Sequence, residues 1–357
     1  MSTILRKRVA IIGTNGLPAN YGGFETLVAN IHEDISKYHS LTVYCSKHTS
    51  KNLKRIGNTR LFRIPLSANG FQSFLYDLLS ILHAFFYSDV MIILGLGGGL
   101  ALPVLSLYKG RIIYNPGGVE TTKIRGLKLT SSLERSIKRS FDNGFFKRAD
   151  TIILDNEAFF YPLLNFKSKL LLIEYGGESS NENYENCDLP FEHYDITVSR
   201  AQPDMKIHVV LKAYENVSRN LVVISNWNKS EYGRNLFKKY NNKFDNIYLH
   251  DAVYNKKHLN CLRRKASIYI HSHSLCGTAP SLVEAMSLGL AVLSYDTDTN
   301  RFTTENNCLY FSNERDLEVL LNTLENEHIK RVANNMKRIA ENRYDWKIIA
   351  SKYLNII

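Results

Sequence analysis

The chain has 357 residues, 44% hydrophobic and 22% charged, with a formal net charge of +11. This composition excludes the disordered and fibrous classes and leaves room for one large or two medium domains, with two as the working number. The surplus positive charge implies attraction to something anionic, which leaves nucleic acid, a membrane surface and phosphorylated small molecules open.

The first residues, "MSTILRKRVAIIG", begin with positive charge, but the apolar run is too short for a secretory leader and lacks a small-residue cleavage site. They read as a strand. Residues 9–31, "VAIIGTNGLPANYGGFETLVANI", follow: Gly13 and Gly16 come just after the strand, Pro18 stiffens the loop, and Gly22 and Gly23 stand where a helix opening on Phe24-Glu25-Thr26 would start. Glycines there let a ligand approach the backbone, and exposed amides at a helix start favour an anion. A tight structural turn is the alternative. The dinucleotide pattern GxGxxG is absent, because counting from Gly13 its second and third glycines would fall on Asn15 and Pro18.

Further on, the short β-rich runs "LTVYCS", "VMIILGLG", "RIIYNPGG" and "DTIILDN" alternate with helix-length segments, as βαβ units of a parallel sheet would. Residues 46–63 hold six Lys or Arg and no acid, and residues 123–148 hold eight against Glu134 and Asp142. The apolar stretch 71–108 is interrupted by Asp77, His83 and Asp89, so it reads as a buried helix plus strand rather than a membrane span of about 20 apolar residues. "SSLERSIKRSF" offers a capping box, Ser131 to Glu134. It sets Leu133, Ile137 and Phe141 on one stripe with Arg135, Lys138 and Arg139 beside it. This first Rossmann-like domain, residues 1–180, ends in a linker around 176–190 where glycine, serine, asparagine and acids cluster.

The second half repeats the pattern with "YDITVSR", "NLVVISNW", "NIYLHDAV", "ASIYIHSHS", "LAVLSYD" and "CLYFS", giving a second Rossmann-like domain over 190–340. Residues 341–357 are expected to form a C-terminal helix packing back on the first domain. Within "HSHSLCGTAPSLVEAMSLGLAVLSYD" a strand ends at His271, a small-residue loop follows, and a helix opens near Ser281 with Glu284 in its first turns. Such a helix start suits a diphosphate, and a carboxylate there can hold ribose hydroxyls. The acids of "YDTDTN", Asp296 and Asp298, read as a turn rather than a metal pair. The five cysteines, Cys45, Cys187, Cys261, Cys276 and Cys308, are odd in number and show no CxxC or His-paired spacing, so they read as reduced thiols without structural zinc.

"GGFETLV" resembles the GGxExxV signature near the N-terminus of the family 4 glycosyltransferases, the retaining, metal-independent group with the two-domain GT-B fold. The longer "GTNGLPANYGGFET" is similar to a bacterial subgroup that includes rhamnosyltransferases of capsule and O-antigen assembly. Similarity continues through "NPGGVE", "SRAQPD", "YIHSHSLCGTAPSLVEAMSLGLAVLS" and "RYDWKIIASKY", so it covers nearly the whole chain. The resemblance implies an α/β fold of two Rossmann-like domains across a cleft. It implies donor contacts from Gly16, Gly22, Gly23, Gly277, Thr278, Ala279, Pro280, Ser281 and Leu282, with Glu284 as the ribose-binding acid. On the acceptor side it implies Asn20, Tyr21, Glu25 and Glu120. Arg200 stands where the family has the arginine that neutralises the donor diphosphate.

The departures from the family are local. Its glutamate beside the transferred sugar, eight residues before Glu284, is Cys276 here, so His273, with His271 as a second candidate, is expected to supply a sugar contact. The family lysine five residues beyond Arg200 is Met205, with Lys206 beside it as the substitute. The subgroup's "DGLEW" becomes "GGVET", which puts Gly117 in place of the aspartate and keeps Glu120.

The expected activity is transfer, with retention, of rhamnose or another hexose from a dTDP- or UDP-linked donor. The expected acceptor is a glycan or a polyprenyl-diphosphate-linked acceptor in bacterial surface polysaccharide synthesis. No cofactor and no metal are expected. The expected place is the cytoplasm, with the basic first domain meeting the anionic inner face of the plasma membrane. No nucleic-acid partner is expected, because the basic runs lack interleaved aromatics and no helix-turn-helix or RNA-binding signature is present. The alternatives are a non-transferring GT-B enzyme such as a sugar-nucleotide epimerase, and a polyanion-binding protein.

Overall fold

The computed structural model describes residues 5–19, 22–49, 53–95, 99–117, 123–124, 127–128, 132–177, 187 and 189–357, with the side chains of 99 and 123–138 outside the description. The chain forms two compact units, Met1–Glu174 with Trp346–Ile357, and Tyr175–Asp345.

The strands of the first unit are β1 (Arg8–Ile12), β2 (Ser40–Cys45), β3 (Arg55–Ile56), β4 (Thr59–Arg63), β5 (Val90–Leu94), β6 (Arg111–Asn115), β7 (Lys123–Ile124), β8 (Leu127–Lys128), β9 (Thr151–Leu154) and β10 (Leu170–Leu172). Eight of them form one sheet in the order β10-β9-β6-β5-β1-β2-β4-β3, and β7 pairs with β8. All ladders of the large sheet are parallel except β3 with β4. A parallel sheet is covered on both faces, so its strands read as unbroken apolar runs. Val90–Leu94 is buried at every position. The helices are α1 (Gly23–Tyr38), α2 (Gln72–Tyr87), α3 (Leu102–Leu107) and α4 (Ser132–Arg148). The 71–108 stretch is thus α2, β5 and α3, with Asp77 1% exposed. Among the described residues no helix is long and apolar enough to cross a membrane.

The second unit contains β11 (Asp195–Val198), β12 (Leu221–Ser225), β13 (Ile247–Asp251), β14 (Ile268–His271), β15 (Ala291–Tyr295) and β16 (Leu309–Phe311), in the order β13-β12-β11-β14-β15-β16 with every ladder parallel. Its helices are α5 (Ile207–Tyr214), α6 (Glu231–Tyr240), α7 (Lys256–Lys265), α8 (Pro280–Ser287), α9 (Asp298–Thr303), α10 (Glu314–Thr323) and α11 (Asn326–Arg343). Asp195 anchors the start of β11: it accepts from Tyr214 at 2.7 Å and from both Nε and an outer nitrogen of Arg219 at 2.6 and 2.7 Å. The last helix, α12 (Trp346–Ile356), belongs to the first unit. Its Tyr353 hydroxyl accepts from Asn115 at 3.0 Å, and Lys352 pairs with Glu174 at 2.6 Å.

Each sheet reverses its winding direction once. In the first unit β1 lies between β2 and β5, and in the second β11 lies between β12 and β14. Open α/β sheets bind ligands at such switch points, outside the carboxyl ends of the strands. The glycine-rich loop after β1 and the loops after β11 and β14 occupy these places.

The cysteines correct the sequence expectation. Cys187 and Cys261 form a disulfide with Cα atoms 6.1 Å apart, and Cys45, Cys276 and Cys308 are not disulfide-bonded. Their separation of 74 residues carries no spacing signal, and tertiary folding alone lays residue 187 against α7.

Asp155, just after β9, is raised from 3.8 to about 7, first by burial and then by the Glu174 carboxylate. The folded carboxyl therefore holds its proton between about pH 4 and 7 while the unfolded one releases it, so this group's contribution falls as pH rises through that window. Asp155→Asn is expected to flatten the stability profile between pH 4 and 7, read as thermal midpoints across the range. An unchanged profile would refute the assignment.

Candidate active site

In the second unit the loops after the adjacent strands β11 and β14 are stitched together. The Ser272 hydroxyl donates to the Met205 carbonyl at 2.6 Å, and the Ser274 amide and hydroxyl donate to the Asp204 carbonyl at 3.0 and 2.9 Å. These bonds gather Arg200, Lys206 and the His271–Pro280 segment into one loop cluster. Arg200 is exposed, and no carboxylate among the described residues pairs with it. Met205 packs in the core at 3% exposure, so the charge at this turn falls to half-buried Lys206, which immediately precedes α5 with a left-handed φ of 52°. Its Nζ lies 5.9 Å from the Tyr295 ring centroid.

The loop leads into α8 through Gly277, Thr278 and Ala279, with Pro280 as the first helical residue. Proline suits that position because its missing N–H would have no partner inside the helix. Thr278 and Ala279 are buried at 4% and 3% exposure, while Pro280 is exposed. The Leu282 side chain is in the core at 0% exposure, and its amide closes onto the Ala279 carbonyl at 3.1 Å.

Glu284, one turn into α8, accepts from Arg263 of α7 at 2.8 Å. Arg263 is 1% exposed whereas the Glu284 side chain keeps 21%. Sequence reasoning missed Arg263, since "CLRRK" looks like a solvated basic run. Its place on the same buried face as Asn260 and Leu262 is the signal that could have found it.

His271 is fully buried and His273 is 9% exposed, with ring centroids 4.2 Å apart. Among the described residues neither ring nitrogen of His271, nor Nε2 of His273, has a hydrogen-bond partner of ordinary geometry, although the Asn300 side chain lies beside the His271 ring. The neighbouring Asn300 amide donates to the His273 and Tyr295 carbonyls at 3.0 and 2.8 Å. Burial, then the charge of Arg200, lowers His273 to about 3, so its imidazole is neutral at physiological pH. Half-buried Cys276 points its thiol at Asn300 Oδ1, 3.9 Å away. Asp296 is committed to Arg301 through two contacts of 2.5 and 2.8 Å.

In the first unit the loop after β1 folds around Glu25. One of its oxygens accepts from the Asn15 backbone and side-chain amides at 2.8 and 3.0 Å, and the residue is 8% exposed. The carboxylate thus holds the loop through that oxygen. Gly22 follows from the same arrangement. With φ at 125°, a Cβ there would lie 2.0 Å from Glu25 Oε2. Gly16, at φ 101°, similarly leaves no room for a Cβ, which would sit 2.4 Å from Cys45 Sγ. Gly23 is the first residue of α1. Where the subgroup has an aspartate, Gly117 faces the Phe24 ring, 2.5 Å from where its Cβ would be. Asn20, Tyr21, Glu120, Ser131 and the side chains of Leu133, Glu134, Arg135, Ile137 and Lys138 lie outside the described residues. A basic cavity of about 330 Å³, lined by Arg6, Arg8, Arg55 and Arg60 among others, opens at the opposite edge of this sheet, where β1 and β2 begin.

Residues 6–176 match a domain of unknown function, DUF1972, and residues 192–346 match the glycosyl transferases group 1 domain. The chain is a glycosyltransferase. The second match contains Arg200, Lys206, the two histidines and Glu284. No curated protein matches the chain. Among solved structures the glycosyltransferase is similar to a sucrose-phosphate synthase from Thermosynechococcus elongatus, with TM-score 0.76, 14% identity and 98% of each chain covered. It is also similar to HepE from Anabaena in complex with UDP and glucose, with TM-score 0.70, 13% identity and 98% of this chain and 99% of that one covered. A trehalose-6-phosphate synthase studied for glycosyl transfer with retention gives TM-score 0.71 and 11% identity over 98% of each chain. These likenesses show the GT-B fold.

Proposed function

We propose that this glycosyltransferase moves a hexose or deoxyhexose from a nucleoside diphosphate to a hydroxyl acceptor, with retention of the anomeric configuration. The observation that carries the reading is the loop cluster of the second unit. Arg200, with no carboxylate partner among the described residues, Lys206 and the opening of α8 lie at the switch point, with Glu284 one turn further on. The bond between the anomeric carbon and the diphosphate oxygen breaks with its electron pair leaving on the phosphate. The acceptor hydroxyl attacks on the same face and passes its proton to that departing oxygen. Arg200 and Lys206 stabilise the charge growing there. Glu284 holds the ribose, neutral His273 offers a ring nitrogen to the sugar, and Gly277 to Ser281 surround the diphosphate. The UDP and glucose of the Anabaena complex and the retaining chemistry of the trehalose-6-phosphate synthase support this reading.

Incubation with UDP- and dTDP-linked sugars, following nucleoside diphosphate release with and without glycan acceptors, tests it. Stimulated release together with a transferred sugar is expected. Sugar-nucleotide isomerisation without transfer would favour an epimerase, and no reaction with any donor would overturn the reading. Transfer is expected to persist in EDTA, because the acid nearest in type to a metal ligand after α8, Asp296, is already paired with Arg301. Loss in chelator restored by manganese would refute that.

The natural acceptor in this proposal is a polyprenyl-diphosphate-linked glycan of surface polysaccharide synthesis, with rhamnose as the transferred sugar, met at an anionic membrane surface. The supporting observation is α2 with the residue that precedes it: Phe71, Leu75, Leu79, Leu82 and Phe86 recur at helical spacing and are all exposed, Phe71 at 82% and Phe86 at 69%. An apolar stripe of this kind, on a chain of net charge +11, suits an interface of acyl chains and acidic headgroups. Replacing Leu75, Leu79 and Phe86 with glutamine is expected to reduce sedimentation with phosphatidylserine vesicles at least tenfold, since each buried side chain of this size contributes about 1.5–3 kcal/mol. The same test applied to Arg135, Lys138 and Arg139 probes the α4 segment. Equal sedimentation of wild type and both variants would leave these faces as ordinary surface.

A further inference from the structure

We propose that His271, His273 and Cys276 form a binding site for a borderline-soft divalent cation of the zinc type. One nitrogen from each imidazole and the Cys276 sulfur all lie within 4.8 Å of one another. Bonds of about 2.0–2.1 Å to nitrogen and 2.3 Å to sulfur place tetrahedral ligand atoms about 3.3–3.6 Å apart, so a small inward movement of the three side chains closes the set. The donors are two imidazoles and a thiol, a combination that favours zinc, cobalt or copper over magnesium or calcium, which prefer oxygen.

The second observation is the pair of buried rings. A buried polar atom ordinarily has a partner, and three imidazole nitrogens here have none of ordinary geometry among the described residues, although His271 is fully buried and His273 is 91% buried. The Asn300 amide group donates to two backbone carbonyls, and its oxygen lies beside the His271 ring and faces the Cys276 thiol. That places Asn300 as an outer partner orienting the sulfur ligand. Three protein ligands leave a fourth position for water or an anion. Binding expels the thiol proton to the buffer, and the Cys276 thiolate and two neutral imidazoles carry the cation with a net charge of one.

The short run His-x-His-x2-Cys is not one of the spacings by which zinc sites are read from sequence, and only the bend after β14 brings Cys276 back to the rings. One consequence rests on the function proposed above: His273 cannot serve both the cation and the donor sugar, so the two compete.

The test uses the full chain, stripped with EDTA without thiol reductant so that the Cys187–Cys261 bond persists. Cobalt(II) titration is expected to give the intense visible bands of a tetrahedral site with a thiolate charge-transfer band. Calorimetry with zinc is expected to give one ion per chain. Cys276→Ser should abolish the charge-transfer band, and His273→Gln should weaken zinc binding by more than the 10–100-fold typical of losing an outer partner. Cys308→Ser should leave both signals in place. Circular dichroism confirms that each variant is folded. Absence of zinc binding, or a thiolate band that survives in Cys276→Ser, overturns the site whatever the outcome of the transfer assays.

Discussion

Arg200→Ala is expected to lower the turnover of sugar transfer by about 10²–10³-fold, the effect of removing one preorganised donor aimed at developing negative charge. Arg200 follows β11 at the switch point, is exposed, and has no carboxylate partner among the described residues, so its guanidinium is available to a ligand rather than engaged in the fold. For the same reason the variant should unfold at the wild-type temperature. Arg200→Lys should recover only part of the rate, since an ammonium keeps the charge but loses the planar fork that engages two phosphate oxygens. Steady-state kinetics with saturating donor provide the measurement. A turnover within tenfold of wild type would remove Arg200 from the mechanism.

Glu284→Gln is expected to damage two properties at once. Arg263 is almost wholly buried, and its ion pair with Glu284 is 2.8 Å long. Leaving a buried guanidinium without its carboxylate costs about 3–5 kcal/mol, with the lower end expected here because Glu284 retains some exposure. Loss of a charge-assisted hydrogen bond to the donor ribose adds a separate penalty in affinity of about 1.5–3 kcal/mol. The double variant Arg263→Met/Glu284→Gln separates the two, because it removes the stranded charge along with its partner. Denaturant midpoints should recover in the double variant, while calorimetric affinity for the donor nucleotide should not. Recovery of both would make Glu284 a structural counter-ion and leave the ribose to another group.

Much of this molecule is legible from local pattern. The strands of both sheets stand out as short β-branched runs, and the loops after β1, β11 and β14 are marked by glycine, charge and small residues. The apolar stretch that could pass for a membrane span is α2, β5 and α3 because Asp77, His83 and Asp89 interrupt it. The roles of particular side chains within those loops were less legible. Glu25 and Leu282 occupy motif positions, yet one holds its own loop and the other fills the core. A motif reports that a position matters without reporting whether it faces a ligand or the interior.

The sequence by itself determined the alternation of strands and helices, and with it two parallel sheets, since side-chain periodicity and turn residues act over a few positions. It also placed Arg200 and the opening of α8 at strand ends, which is where α/β folds bind anions. Tertiary structure alone decided which distant groups meet: Arg263 with Glu284, Cys187 with Cys261, and the two imidazoles with Cys276. It also decided that α2 presents an apolar stripe outward. The physical reason is that such pairings depend on strand order and on which helix face is covered. Burial turns each of them into a strong constraint, while nothing in the neighbouring residues encodes the partner.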